Sequence, residues 1–161
     1  MKRCIFLIIL LITQISFGQD LIKSKDKVDD FTGVRTLNTN LINVASSEKT
    51  TGNLKMVLGR YIGKDSTEQY ALNVLSSDDL GCAGANSNYI IFLFQDGTSM
   101  KYDKDRAKVD CGDINISIYV IDKNDFENKV ISKVRFAKSE GYRDYKWTSL
   151  VSLDAFFDIL K

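Results

Sequence analysis

From Phe31 onward the chain is a succession of short runs rich in Val, Ile, Leu, Tyr and Phe, each soon broken by Gly, Asn, Asp or Ser. Branched and aromatic side chains suit a pleated surface and the breakers supply turns, so this texture predicts successive strands. They fall near 32–45, 54–62, 68–76, 88–94, 98–103, 114–121, 130–137 and 142–148. In 54–62, Leu54, Met56, Leu58 and Arg60 point one way and Lys55, Val57, Gly59 and Tyr61 the other, a strand-like pattern that is not cleanly one-sided. Tyr89–Phe94 is apolar throughout, which predicts a strand in the middle of the sheet with both faces buried. Gln95-Asp96-Gly97-Thr98 follows, and its Asp-Gly pair predicts a tight hairpin that returns 98–103 along 88–94.

Helices are few. Asp122 is a candidate cap for a turn through Asp125 to Lys129, with Phe126 and Val130 on one face at i, i+4. Ser152 is the candidate cap of a C-terminal helix, which would bury Leu153, Phe156, Phe157 and Leu160 against the sheet. The fold expected is α+β and β-rich: a mostly antiparallel sheet or compact sandwich of about seven or eight strands with a short C-terminal helix.

The first residues predict export. Lys2 and Arg3 precede an apolar run, Cys4 to Ile12, too short to serve as a permanent membrane span, and Ser16 and Gly18 fit a signal-peptidase site. Residues 1–18 are therefore read as a cleaved signal peptide, 19–30 as a flexible polar lead and 31–161 as a single β-rich domain. Cys4 opens the apolar run, whereas a lipoprotein cysteine would follow it at the cleavage point. After cleavage no stable membrane insertion is expected, and the location is periplasmic or extracellular. Of the 22 basic and 21 acidic residues, cleavage removes only Lys2 and Arg3, so the mature charge is about −1. Without a basic patch interleaved with aromatics, nucleic acid is not an expected partner.

Cleavage also reduces the three cysteines to Cys82 and Cys111. In an oxidising compartment they are expected to pair, closing a loop worth roughly 3–4 kcal/mol in the chain-entropy picture. The hairpin supports this geometrically, since it returns 105–111 toward the end of the sheet that Cys82 enters. The competing reading, a metal or redox pair, finds no histidine, no second cysteine pair and no Cys-x-x-Cys spacing.

Gly81-Cys82, Phe94-Gln95-Asp96-Gly97, Asp110-Cys111-Gly112 and Ile131-Ser132-Lys133-Val134-Arg135-Phe136, followed by a short C-terminal helix, resemble a pattern found in small secreted bacterial proteins of unknown function. The resemblance covers roughly 75–161. It implies export, a β-rich fold and cysteine pairing, and it brings no catalytic residues.

The absence of histidine removes Ser-His-Asp and Cys-His arrangements and the commonest general base near neutral pH. No glycine-rich phosphate loop is present, so no cofactor, no metal and no catalytic residue is assigned. The densest carboxylate group is Asp103, Asp105, Asp110 and Asp113, with Asp78 and Asp79 near the other cysteine. It would suit calcium or a glycosidase acid pair, but the EF-hand spacing fails, and a solvated loop rim neutralised by Lys101, Lys104, Arg106 and Lys108 is preferred. Arg143, Tyr145 and Trp147 share one strand face, which would form a binding platform if open to solvent; packing is the commoner fate of a lone tryptophan. Asn115-Ile116-Ser117 fits the N-glycosylation spacing and is taken as chance in a bacterial exported protein.

Three functional classes follow in order. The first is a non-enzymatic binding or accessory domain engaging a protein or glycan of the envelope. The second is a carboxylate-based hydrolase acting on glycans, and the third a calcium-stabilised structural module.

Overall fold

The computed structural model describes residues 20–81, 88–103, the backbone of 107–109, and 116–161. Eleven strands form one sheet: β1 Lys23–Val28, β2 Arg35–Thr39, β3 Ile42–Ser47, β4 Asn53–Ile62, β5 Glu68–Ser76, β6 Tyr89–Phe94, β7 Ser99–Tyr102, β8 Ala107–Val109, β9 Ile116–Ile121, β10 Ile131–Lys138 and β11 Gly141–Trp147. Among the described residues a single α-helix, α1, spans Leu153–Ile159. The spatial order is β7-β6-β10-β11-β3-β4-β5-β9-β8, with β2 also paired to β4 and β1 to β2. Every described pairing is antiparallel. The fold is therefore the β-rich sheet with a short C-terminal helix that the run-and-turn texture predicts.

One apolar cluster takes side chains from nearly every strand, so the sheet shares a single core. A chain of rings crosses that core. Phe92 of β6 and Tyr102 of β7 meet Phe126 at 5.1 and 6.0 Å, Phe126 meets Phe157 of α1 at 6.2 Å, and Phe157 sets its edge against Tyr70 of β5 at 5.0 Å. Strands far apart in the order are thus joined through helix side chains. Asn88, at the entrance to β6, adds a polar contact by accepting the Tyr119 hydroxyl of β9 at 2.7 Å.

The helix forms as its cap predicts. Ser152 Oγ accepts the Ala155 N–H at 3.4 Å, and Leu153, Phe156, Phe157 and Leu160 are all buried. Arg60 donates to the Leu160 carbonyl at 2.6 Å, which ties the helix end to β4. The Asp-Gly hairpin also forms: Gly97 adopts φ +82°, and Asp96 Oδ1 accepts from the Thr98 N–H and hydroxyl at 2.9 and 2.6 Å.

Several expectations are corrected. Within the segment read as a flexible lead, Lys23–Val28 is a strand paired to β2, solvent-exposed along its length. Its lysines suit an outer edge, where charge opposes further strand addition. The single strand expected over 32–45 is two strands. Asn40 interrupts it: its backbone N–H donates to the Ile22 carbonyl and its side-chain oxygen accepts the Ile22 N–H, both at 2.9 Å. Strands β2 and β3 then share one edge of β4. With β1, β8 and this division, the count exceeds the seven or eight expected.

Tyr89–Phe94 is not buried on both faces. Ile90, Phe92 and Phe94 are in the core, Leu93 is 38% exposed, and the strand lies one place in from β7 at the end of the order. Phe126 and Val130 do not share a helix face, because Lys123–Phe126 is only a short 3-10 turn; Phe126 is buried and Val130 is exposed.

Candidate functional site

The register of β10 and β11 decides which face of 141–147 is inward. Tyr145 sits opposite Val134, a core residue, so the face shared by Arg143, Tyr145 and Trp147 is turned toward the core. Tyr145 is fully buried, so it takes no part in an open platform, and packing, the preferred alternative, describes it. Its hydroxyl lies 2.7 Å from Asp78 Oδ2 and 2.7 Å from Ser76 Oγ. The phenol proton goes to the carboxylate, and the phenol oxygen accepts from the serine. The other Asp78 oxygen accepts the Thr50 hydroxyl at 2.7 Å. Gly52 makes room for this carboxylate, since a Cβ there would overlap it. Burial pushes the Tyr145 phenol well above its ordinary range, and donation to Asp78 pushes the same way. This is a structural clasp between β11 and the exit of β5. Arg143 is partly buried beside Glu48 and Lys49.

Trp147 behaves differently. It packs partly on the core and partly lines a groove of about 210 Å³, with Val130, Ile131 and Gln95 on one side and 149–153 on the other. The groove is built by backbone bonds. Thr148 and Ser149 both donate to the Val44 carbonyl, at 3.0 and 3.1 Å, which ends β11 and turns the chain toward α1. Gln95 N–H donates to the Val130 carbonyl at 2.8 Å and holds the opposite wall. Ser149 Oγ accepts the Val151 N–H at 3.0 Å and shapes the loop. Two aliphatic side chains flank the indole in the open: Leu150 is 89% exposed and Val130 53%. None of the lining residues is charged. Such an arrangement can stack an apolar or sugar surface on the indole and offer amide and hydroxyl groups at its rim.

A second hollow, about 390 Å³, lies on the outer face of β7-β6-β10-β11, floored by Ile91 and Leu93. Its charged walls are already paired. Arg135 bonds Asp144 bidentately at 2.6 and 2.9 Å and stacks on Tyr142 at 4.2 Å, while Lys133 meets Glu48 at 2.9 Å. The Arg135 guanidinium holds the Asp144 carboxyl below its usual range. Self-neutralised charge makes this a solvated face with little left to offer a charged ligand.

Of the acidic group, Asp103 lies after β7 with Lys101 Nζ at 3.8 Å. Asp105, Asp110 and Asp113, like Cys82 and Cys111, lie outside the described residues. Among the described residues no cluster of three His, Cys, Asp or Glu side chains is placed to hold a metal ion, and no helix is long and apolar enough to cross a membrane.

The Trp147 groove escapes an analysis by strand alternation because two of its walls, Val130 and Leu150, lie just outside strands. The available signal was Leu150-Val151, an aliphatic pair between serines where a turn would otherwise be polar. No protein-family model matches the chain, and no curated protein or solved structure shows detectable similarity to it.

Proposed function

We propose that the mature chain is an exported, non-catalytic binding domain of the bacterial envelope, and that it engages a protein or glycan through the uncharged groove at Trp147. The observation that carries this reading is the exposure of Leu150 and Val130 on either side of a tryptophan that is itself only partly covered. Aliphatic side chains that open to water contribute nothing to the core, and a contiguous apolar patch with a polar rim is the usual anatomy of a recognition site. The lack of charge in the lining favours a neutral sugar ring or an apolar side chain over an ionic ligand.

The test compares the mature chain with Leu150→Asp and Val130→Asp, whose side chains are exposed enough to leave the fold intact. Both are applied to a glycan array and to immobilised envelope proteins. Binding by the wild type that weakens about tenfold or more in either variant supports the groove. Binding that both variants retain, or no binding by the wild type, counts against it.

A further inference from the structure

The outer face of the sheet differs sharply between its two halves. On β7-β6-β10-β11 it is laced with paired opposite charges, whereas the registers of the other half assemble rows that carry no carboxylate among the described residues, with Glu68 and Asp122 at one margin. Across one row lie Lys27, Thr36, Tyr61 and Gln69; across the next, Lys25, Asn38, Gly59, Ala71 and Val120. Val57, Asn73 and Ile118 follow, then Lys55, Leu75 and Ile116. Among the described residues no Asp or Glu stands on these rows, and no carboxylate lies within ion-pairing distance of Lys25, Lys27 or Lys55.

The composition is graded. Val57, Leu75, Ile116, Ile118 and Val120 are aliphatic yet remain partly exposed, with exposed lysines around them, Lys25 and Lys27 on the edge strand β1 and Lys55 on β4. A solvated sheet face alternates apolar inward with polar outward, so the unbroken aliphatic outer side of β9, Ile116, Ile118 and Val120, indicates a face made to be covered. Apolar centre and charged rim is also how protein interfaces are organised.

We propose that the outer face of β1, β2, β4, β5 and β9 is a docking surface for an acidic protein, with carboxylates meeting Lys25, Lys27 and Lys55 around an aliphatic contact. Charge decides the occupant. A second copy would oppose lysines with lysines and is disfavoured. The surface is separate from the groove at Trp147 and does not depend on it.

The experiment is an amide NMR titration of the mature chain with a short peptide alternating glutamate and valine. Polyglutamate of equal length and phosphatidylglycerol vesicles serve as comparison probes. Because the mature chain is itself slightly acidic, binding of an acidic peptide reports local charge and not net attraction. The expected result is perturbation confined to β4, β5, β9 and the β1-β2 hairpin. The alternating peptide should bind several-fold tighter than polyglutamate, and Lys25→Glu/Lys27→Glu/Lys55→Glu should weaken it about tenfold. The Leu150→Asp variant should bind the peptide as the wild type does. Perturbation centred on Lys101, Lys133 and Lys146, equal binding of both peptides, an inert triple variant, or response to vesicles alone would each overturn the proposal.

Discussion

The Tyr145 hydroxyl donates to Asp78 Oδ2 at 2.7 Å, joining the middle of β11 to the segment leaving β5 across 67 residues of sequence. Both partners bond elsewhere too, Tyr145 to Ser76 and Asp78 to Thr50, so neither polar group is left unpaired where Tyr145 is buried. Aromatic packing alone would accept phenylalanine here; the hydroxyl is what locates 76–78.

Removing that hydroxyl is therefore expected to be costly out of proportion to its size. Tyr145→Phe removes the partner of one Asp78 carboxylate oxygen, while Ser76 keeps its bonds to the Asp78 backbone, and a bond to a charged acceptor is worth about 1.5–3 kcal/mol. Urea unfolding should register a loss in that range. A double-mutant cycle with Asp78→Asn should return a coupling of about 1 kcal/mol or more. A loss below about 0.5 kcal/mol would show that the clasp contributes little.

Gly52→Ala addresses the same clasp from the other side. The added methyl overlaps the Asp78 carboxylate, which must swing away and release Thr50 and Tyr145. A destabilisation of about 1–3 kcal/mol is expected in denaturant, and it should shrink when Asp78 is already alanine. Equal cost in both backgrounds would separate the glycine from the clasp.

Lys138 is buried at the end of β10, near Asp79, and burial lowers its ammonium pKa. A base whose folded pKa is depressed costs stability wherever it must stay protonated, and the cost fades as pH rises from the folded toward the unfolded value. Lys138→Met should accordingly raise Tm by about 2–4 °C at neutral pH, with the gain narrowing toward the ordinary lysine range. Thermal melts at several pH values check both parts. A lower Tm in the variant would mean the amine is well satisfied.

The Arg135–Asp144 pair makes the opposite pH statement. Arg135 lowers the Asp144 pKa, so its contribution is present above the unfolded carboxylate pKa and disappears as pH falls through the folded one. The side chains are 41% and 35% exposed, so solvent screening limits the contribution to less than about 1 kcal/mol. Asp144→Asn should lose that small amount at pH 7 and nothing in strong acid, where the wild-type residue is neutral too. A constant difference across pH would assign the effect to packing.

What could be read from the residues alone was local. The Asp96-Gly97 turn, the Ser152 cap and the Leu153, Phe156, Phe157, Leu160 stripe each depend on neighbours within a few positions, and each is found as expected. Alternation also placed Leu54, Met56 and Leu58 on one face of β4, which is the buried one. Long-range choices were not legible. Nothing near Tyr145 says whether its face looks inward; that follows from its partner Val134 on β10. The break at Asn40 depends on Ile22, eighteen residues away, and the one-sided burial of Tyr89–Phe94 depends on only one face of β6 meeting the core. The groove was half legible: Trp147 was singled out, but its flanking aliphatics come together only when Val44 gathers the chain after β11.

The most direct test of the groove as the recognition site is photo-cross-linking in the producing cell, with a photoreactive phenylalanine analogue at position 150 and, as a control, at Tyr142, which is also exposed but lies away from the groove. The account predicts a discrete adduct with one envelope component from position 150 and none from position 142. No adduct at 150, or the same products from both positions, would contradict it.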